Sequence, residues 1–263
     1  MIYLGVPDFD VDVQVGDDHV AVVEFARGAH NFLDGALASA IADACDSVAA
    51  EGRARAVLLP GAGKHFCAGA DFAGDEGDFF AGSTGSDHPY DSIVRLLAQP
   101  LPLGIAVQGG AIGGGLGLAL VGDFRFGSEQ TRFSAPFARL AMHQGSAITV
   151  TLPWVIGQRH ASDLMLTGRR IRGEEALQIG LLDRLVPADQ LRGAAHPYAA
   201  EIAAGAPVTL RSIRASLRGD LADRARAVIV EERAEQARQR PMADHAEGIA
   251  ADLARRPPVF HGR

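Results

Sequence analysis

The sequence predicts an α/β fold: a mixed core over residues 1–190 followed by a helical region over residues 191–263. Three observations predict it. Two short, continuous apolar runs, at 56–59 and 103–107, read as strands buried on both faces. Each run leads into a glycine-rich loop, as strands do in βαβ units. From Asp189 onward only helical periodicity remains, at about 189–204, 207–218, 221–239 and 242–254.

The elements follow in order. Residues 9–25 read as a hairpin, with Val11, Val13 and Val15 alternating with polar residues and Gly16-Asp17-Asp18 at the turn. Asp34 is a helix N-cap, and Ala38, Ile41, Ala42, Cys45 and Val48 share one face of the helix up to about residue 50. A helix over 91–98 stops at Gln99-Pro100, and another follows Gly115 to about residue 121. Residues 124–126 and 132–134 read as short strands. Helical segments follow at 148–156, 162–166 and 173–179, with a last strand at 182–186. The stretch 74–85 is glycine-rich and acidic, and no internal repeat is present.

Composition excludes several classes. A net charge of −7 argues against a nucleic-acid partner. No apolar run is long and uncharged enough to span a membrane, and residues 1–12 lack the basic start and apolar block of a signal peptide. Cys45 and Cys67 give neither a disulfide framework nor a zinc set, so no metal site is expected and the cytoplasm is the expected compartment.

The chemistry lies in two loops, Lys64-His65-Phe66-Cys67-Ala68-Gly69-Ala70-Asp71 and Gly109-Gly110-Ala111-Ile112-Gly113-Gly114-Gly115. Glycines let backbone approach a ligand closely and adopt positive φ. Two outward amides, one from each loop, suit a developing oxyanion. On the residues alone a pair of tight turns is the competing reading. The dinucleotide spacing G-x-G-x-x-G is absent, and Gly61-Ala62-Gly63-Lys64 lacks the remainder of a phosphate loop.

These loops resemble those of the enoyl-CoA hydratase/isomerase (crotonase) family, K-x-F-x-A-G-A-D and V-N-G-x-A-x-G-G-G, with Gln108 in place of the usual Asn. Leu166-Thr167-Gly168 through Gly180-Leu181-Leu182, and Glu247-Gly248-Ile249 through Phe260-His261-Gly262-Arg263, resemble later family segments, so the likeness covers nearly the whole chain. The resemblance implies a crotonase-like, twisted ββα-repeat core with a helical C-terminal part. It implies assembly as a trimer or pair of trimers through residues 191–263. The substrate it implies is an acyl-CoA thioester, with coenzyme A arriving as part of the substrate and no permanently bound cofactor. Its oxyanion amides map to Ala70 and Gly114. Ala68, Asp71 and Met142 fall beside the substrate, with Asp71 mainly structural in the motif. Arg255, Arg256 and Phe260, and more remotely Arg27, are the candidates for CoA contacts, against the plainer reading of a solvated helix end.

The sequence departs from the family where hydratases carry two glutamates: those positions are Gly117 and Phe137. Neither side chain moves a proton. His143, six residues beyond Phe137, falls on a stretch where other members place replacement acids, and its ordinary pKa of ~6.5 suits proton transfer. The competing reading is a hydrogen-bonded histidine at a helix start. Cys67 reads as small-residue packing, Ser134 and Ser146 lack a nucleophile elbow, His30 and His65 are weaker candidates, and Asp75, Glu76 and Asp78 read as a solvated face. Three functions follow in order: an enolate-stabilising acyl-CoA enzyme, a His143-dependent β-diketone or thioester hydrolase, and a non-catalytic acyl-CoA binder.

Overall fold

The computed structural model describes residues 9–72 and 88–263. Asp75, Glu76, Asp78 and the whole acidic glycine-rich stretch 74–85 lie outside the described residues. The valine-rich segments pair antiparallel as β1 (Asp10–Val15) and β2 (Val20–Ala26), with Asp10 opposite Ala26. Asp34 caps α1 (Gly35–Glu51) by accepting the Leu37 amide at 2.9 Å, and Gly52 ends the helix in the left-handed region at φ 72°. The expected stripe Ala38, Ile41, Ala42, Cys45 and Val48 is buried. β3 (Ala56–Pro60) and β4 (Leu103–Ala106) are buried throughout and pair in parallel. Between them, α2 (Pro89–Ala98) starts at Pro89 rather than Asp91, because the His88 side chain accepts the Tyr90 amide and the proline suits a first turn.

Beyond β4 the chain runs through β5 (Gly110–Ile112), α3 (Gly114–Leu120), β6 (Phe124–Gly127), β7 (Arg132–Ser134) and a 3-10 turn at Pro136–Leu140. It continues through α4 (Ile148–Thr167), β8 (Arg170–Arg172), α5 (Gly173–Gln178) and β9 (Arg184–Leu185). The two helical segments expected at 148–156 and 162–166 are one run broken at Gly157, whose φ of 74° and ψ of 157° are not helical. The main sheet has the order β1-β2-β3-β4-β6-β9, and β5-β7-β8 form a second. β5 and β8 were not expected: each is three residues long, one in a glycine loop and one flanked by exposed arginines, too short to show a period of two.

The C-terminal region is helical as expected: α6 (Leu191–Ala203), α7 (Pro207–Arg218), α8 (Leu221–Gln239) and α9 (Ala243–Leu253). α6 seals one face of the main sheet, with Ala195, Ala199 and Ala203 in one apolar cluster with Val20, Leu58, Phe124 and Phe126. α9 lies against the 3-10 turn. A Cβ on Gly248 would stand 2.7 Å from the Leu140 carbonyl carbon, so glycine is what permits the approach. Among the described residues no helix is long and apolar enough to cross a membrane.

Candidate active site

The backbone joins the two glycine loops. The Phe66 amide donates to Gln108 O at 2.8 Å, the Cys67 amide to Gly110 O at 3.0 Å, and the Ile112 amide to Cys67 O at 3.0 Å. Gly69 makes the approach possible. Its φ is 87°, and a Cβ there would stand 2.7 Å from Ile112 O and 3.7 Å from the Gly114 nitrogen. Ala70 and Gly114 are thereby brought to the wall of one cavity of about 230 Å³. Among the described residues no acceptor takes the amide hydrogen of either. A backbone N–H without a partner beside a cavity is uncommon, and a ligand is one way to satisfy it.

Ala68, Asp71, Phe137 and Met142, all expected beside a substrate, line the same cavity. Phe32, Tyr90, Ile112, Leu140, Ser146, Asp252 and Leu253 complete much of the wall. Five of these were not singled out from the sequence for a site: Phe32, Tyr90, Leu140, Asp252 and Leu253. Tyr90 reaches the wall from α2, and Asp252 and Leu253 reach it from α9. Tyr90 donates from its hydroxyl to Gln236 at 2.9 Å, and burial pushes that hydroxyl well above the usual tyrosine range. It is a neutral group at working pH. Cys67 is fully buried, and burial pushes its thiol up to about 12, which supports packing over nucleophilic attack.

Gly117 is buried behind the wall rather than on it. A Cβ there would stand 2.4 Å from the Ser146 Cβ and 3.1 Å from Ser146 O. A glutamate at 117 therefore has no room while Ser146 holds its place. Ser146 and Ala147 both have positive φ, 60° and 57°. The Glu232 carboxylate fixes the chain from Ala147 onward, accepting the Ala147 amide at 2.9 Å, the Thr149 amide at 3.2 Å and the Thr149 hydroxyl at 2.6 Å. Burial raises the Glu232 carboxyl above its ordinary value, and these donors pull the other way.

The structure does not bring His143 to this cavity. The chain leaves the 3-10 turn through Ala141 in the left-handed region at φ 47°, and His143 then lines a neighbouring cavity of about 490 Å³ with Ser162, Met165, Arg238 and Asp244. Its Nδ1 lies 2.9 Å from Gln144 O, and its own carbonyl accepts from Gln236 at 2.8 Å. Met142 is the residue that lines both cavities.

The expected CoA contacts stand apart from the cavity wall. Arg27 pairs with Asp34 at 2.6 Å. Arg256 makes two bonds to Glu247, at 2.5 and 2.7 Å, and holds that carboxyl down to about 2. Arg255 and Phe260 are exposed on the tail after α9. Among the described residues no group of three His, Cys, Asp or Glu side chains is placed to hold a metal ion.

Comparison with known proteins bears on this geometry. The sequence matches the family described as enoyl-CoA hydratase/isomerase over residues 16–263. It is 30% identical to 2,3-dehydroadipyl-CoA hydratase of Escherichia coli, over 89% of this chain and 92% of that protein. It is 29% identical to 1,2-epoxyphenylacetyl-CoA isomerase of the same organism, over 89% and 91%. A crystal structure of an enoyl-CoA hydratase/isomerase from Pseudoalteromonas atlantica superposes with a TM-score of 0.84 at 29% identity, covering 95% of this chain and 99% of that one.

Proposed function

The chain belongs to the enoyl-CoA hydratase/isomerase family, and from that premise we propose that it is an acyl-CoA enzyme in which the amides of Ala70 and Gly114 jointly hold the thioester oxygen. Two relatives of near-equal identity are named for different reactions, a hydratase and an isomerase, so membership alone does not select the chemistry. The observation that carries the proposal is the pair of amides, unspent among the described residues, on one cavity wall. Two such donors stabilise an enolate better than the ground-state carbonyl, because charge develops on that oxygen.

The wall between these amides and Leu253 is largely apolar, with Phe137 where a hydratase has its second acid. The first acid position is Gly117, closed by Ser146. Water addition by paired carboxylates is therefore not the reaction proposed. Enolate formation followed by proton shift, elimination or carbon–carbon cleavage is. His143 lies on the neighbouring cavity, and the proposal gives it no proton to carry. A hydrolase built on His143 loses its geometric support for the same reason.

Arg255 is the CoA-phosphate contact the proposal retains. It is exposed, follows the helix that brings Asp252 and Leu253 to the cavity, and its guanidinium has no partner among the described residues. Arg27 and Arg256 are held by Asp34 and Glu247. Trimeric assembly, or a pair of trimers, is part of the same proposal. Ile213 and Leu217, one turn apart on the same side of α7, are 51% and 73% exposed, a face that a second copy would cover.

The test is crotonyl-CoA, whose conjugated absorbance disappears on hydration. The expected result is binding, seen by calorimetry, with absorbance that persists at catalytic protein concentration. Rapid loss of absorbance would show hydration without paired glutamates and overturn this account of the cavity.

A further inference from the structure

We propose that the Ser146 hydroxyl is a substrate-facing hydrogen-bond donor that selects acyl groups carrying an oxygen at C3, the β-oxo and β-hydroxy thioesters. The inference rests on the acyl-CoA reading above and adds a specificity residue to it.

The position of the hydroxyl is the first argument. An ideal Cβ on Gly114 would stand 3.6 Å from Ser146 Oγ, and one on Gly117 would stand 3.2 Å from it. The hydroxyl therefore sits beside α3 between the residue whose amide meets the thioester oxygen and the residue one turn further on. The space a side chain at 117 would fill is taken by Ser146 instead. An acyl chain running from the Gly114 amide past this point presents its C2–C3 portion to the hydroxyl.

The hydroxyl is also unspent. Ser146 is 1% exposed and lines the cavity, and no described residue takes or gives a hydrogen bond at its Oγ. The neighbouring serine and threonine hydroxyls of the core behave differently. Ser134 donates to Gly168 O at 3.2 Å, and Thr151 donates to Ala147 O at 2.9 Å. A hydroxyl with no protein partner, beside Phe137, Leu140 and Met142 in the cavity wall, is free to meet a ligand oxygen.

The backbone is the third argument. Ser146 and Ala147 are consecutive non-glycine residues at φ 60° and 57°, a conformation that costs free energy. Glu232 holds it through three hydrogen bonds from residues 147 and 149. Glycine would adopt the same backbone at position 146 without strain, yet it would not supply the hydroxyl.

A site that hydrogen-bonds a substrate oxygen discriminates against the analogue lacking it. The experiment compares acetoacetyl-CoA with butyryl-CoA, which differ at C3, by calorimetric titration of the full chain and of Ser146→Ala and Ser146→Gly. The parent protein is expected to favour acetoacetyl-CoA by about tenfold or more, the scale of one hydrogen bond. Both variants are expected to lose most of that preference while binding butyryl-CoA as the parent does. Ser146→Gly relieves the strained φ, so it secures a folded comparison if Ser146→Ala is unstable. If both thioesters bind and the preference is the same in parent and variants, the Ser146 assignment falls alone. If neither thioester binds the parent, the acyl-CoA reading falls and takes this inference with it.

Discussion

Gly114→Pro is expected to keep the fold while lowering enolate formation from bound acetoacetyl-CoA by about a hundredfold or more, the usual effect of losing one donor of an oxyanion hole. The substitution removes the amide hydrogen itself, which no side-chain change at this position does. Gly114 opens α3, where proline is tolerated, and a Cβ there meets only ordinary contacts at 3.6 Å from Ser146 Oγ and 3.7 Å from Leu33. The readout is the near-ultraviolet absorbance of the bound enolate as a function of pH, beside circular dichroism and a melting curve. A folded Gly114→Pro protein with the parent's enolate titration would remove the oxyanion argument.

The second large effect concerns stability. Asp123→Ala is expected to cost about 3 kcal/mol or more, because it leaves buried charge uncompensated. Asp123 Oδ2 accepts from Arg214 Nε at 2.7 Å and from the Leu103 amide at 2.8 Å, and Oδ1 accepts from Arg218 Nε at 2.8 Å. Both arginine side chains are only 7% exposed. One carboxylate therefore ties the start of β4 to α7. Burial alone would raise the Asp123 carboxyl, but the Arg218 and Arg214 charges and the bonds from Arg214 and Leu103 more than reverse this and hold it below its ordinary value. A lowered folded-state pKa means the stabilisation is complete above the unfolded carboxyl's ~3.9 and is lost as pH falls through the folded value. Urea unfolding at neutral pH measures the cost. A loss below about 1 kcal/mol would show that water, not Asp123, compensates these arginines.

Much of the architecture was legible because its signals are local. Asp34 before an apolar stripe and the uninterrupted run at 56–59 each act within a few residues, and each does what the sequence indicates. The amide pair was approachable through the family resemblance of two contiguous loops, and the structure adds that Gly69 lets them meet. What could not be read is what depends on contacts between distant segments. Gly117 looked like an empty position where a carboxylate was missing, yet Ser146, twenty-nine residues on, fills that space. His143 had the right residue type and spacing, but a left-handed Ala141 turns the chain so that its ring faces another cavity. Asp252 and Leu253 reach the cavity because α9 folds onto the 3-10 turn, which helical periodicity cannot convey.

The central claim is that this protein polarises a thioester carbonyl between Ala70 and Gly114. Carbon-13 NMR of crotonyl-CoA labelled at the thioester carbon tests it most directly. Binding is expected to move the carbonyl resonance downfield, as two hydrogen bonds draw electron density toward oxygen, with the vinyl signals intact over the same interval. A bound thioester whose carbonyl resonance stays at its free position would contradict the account.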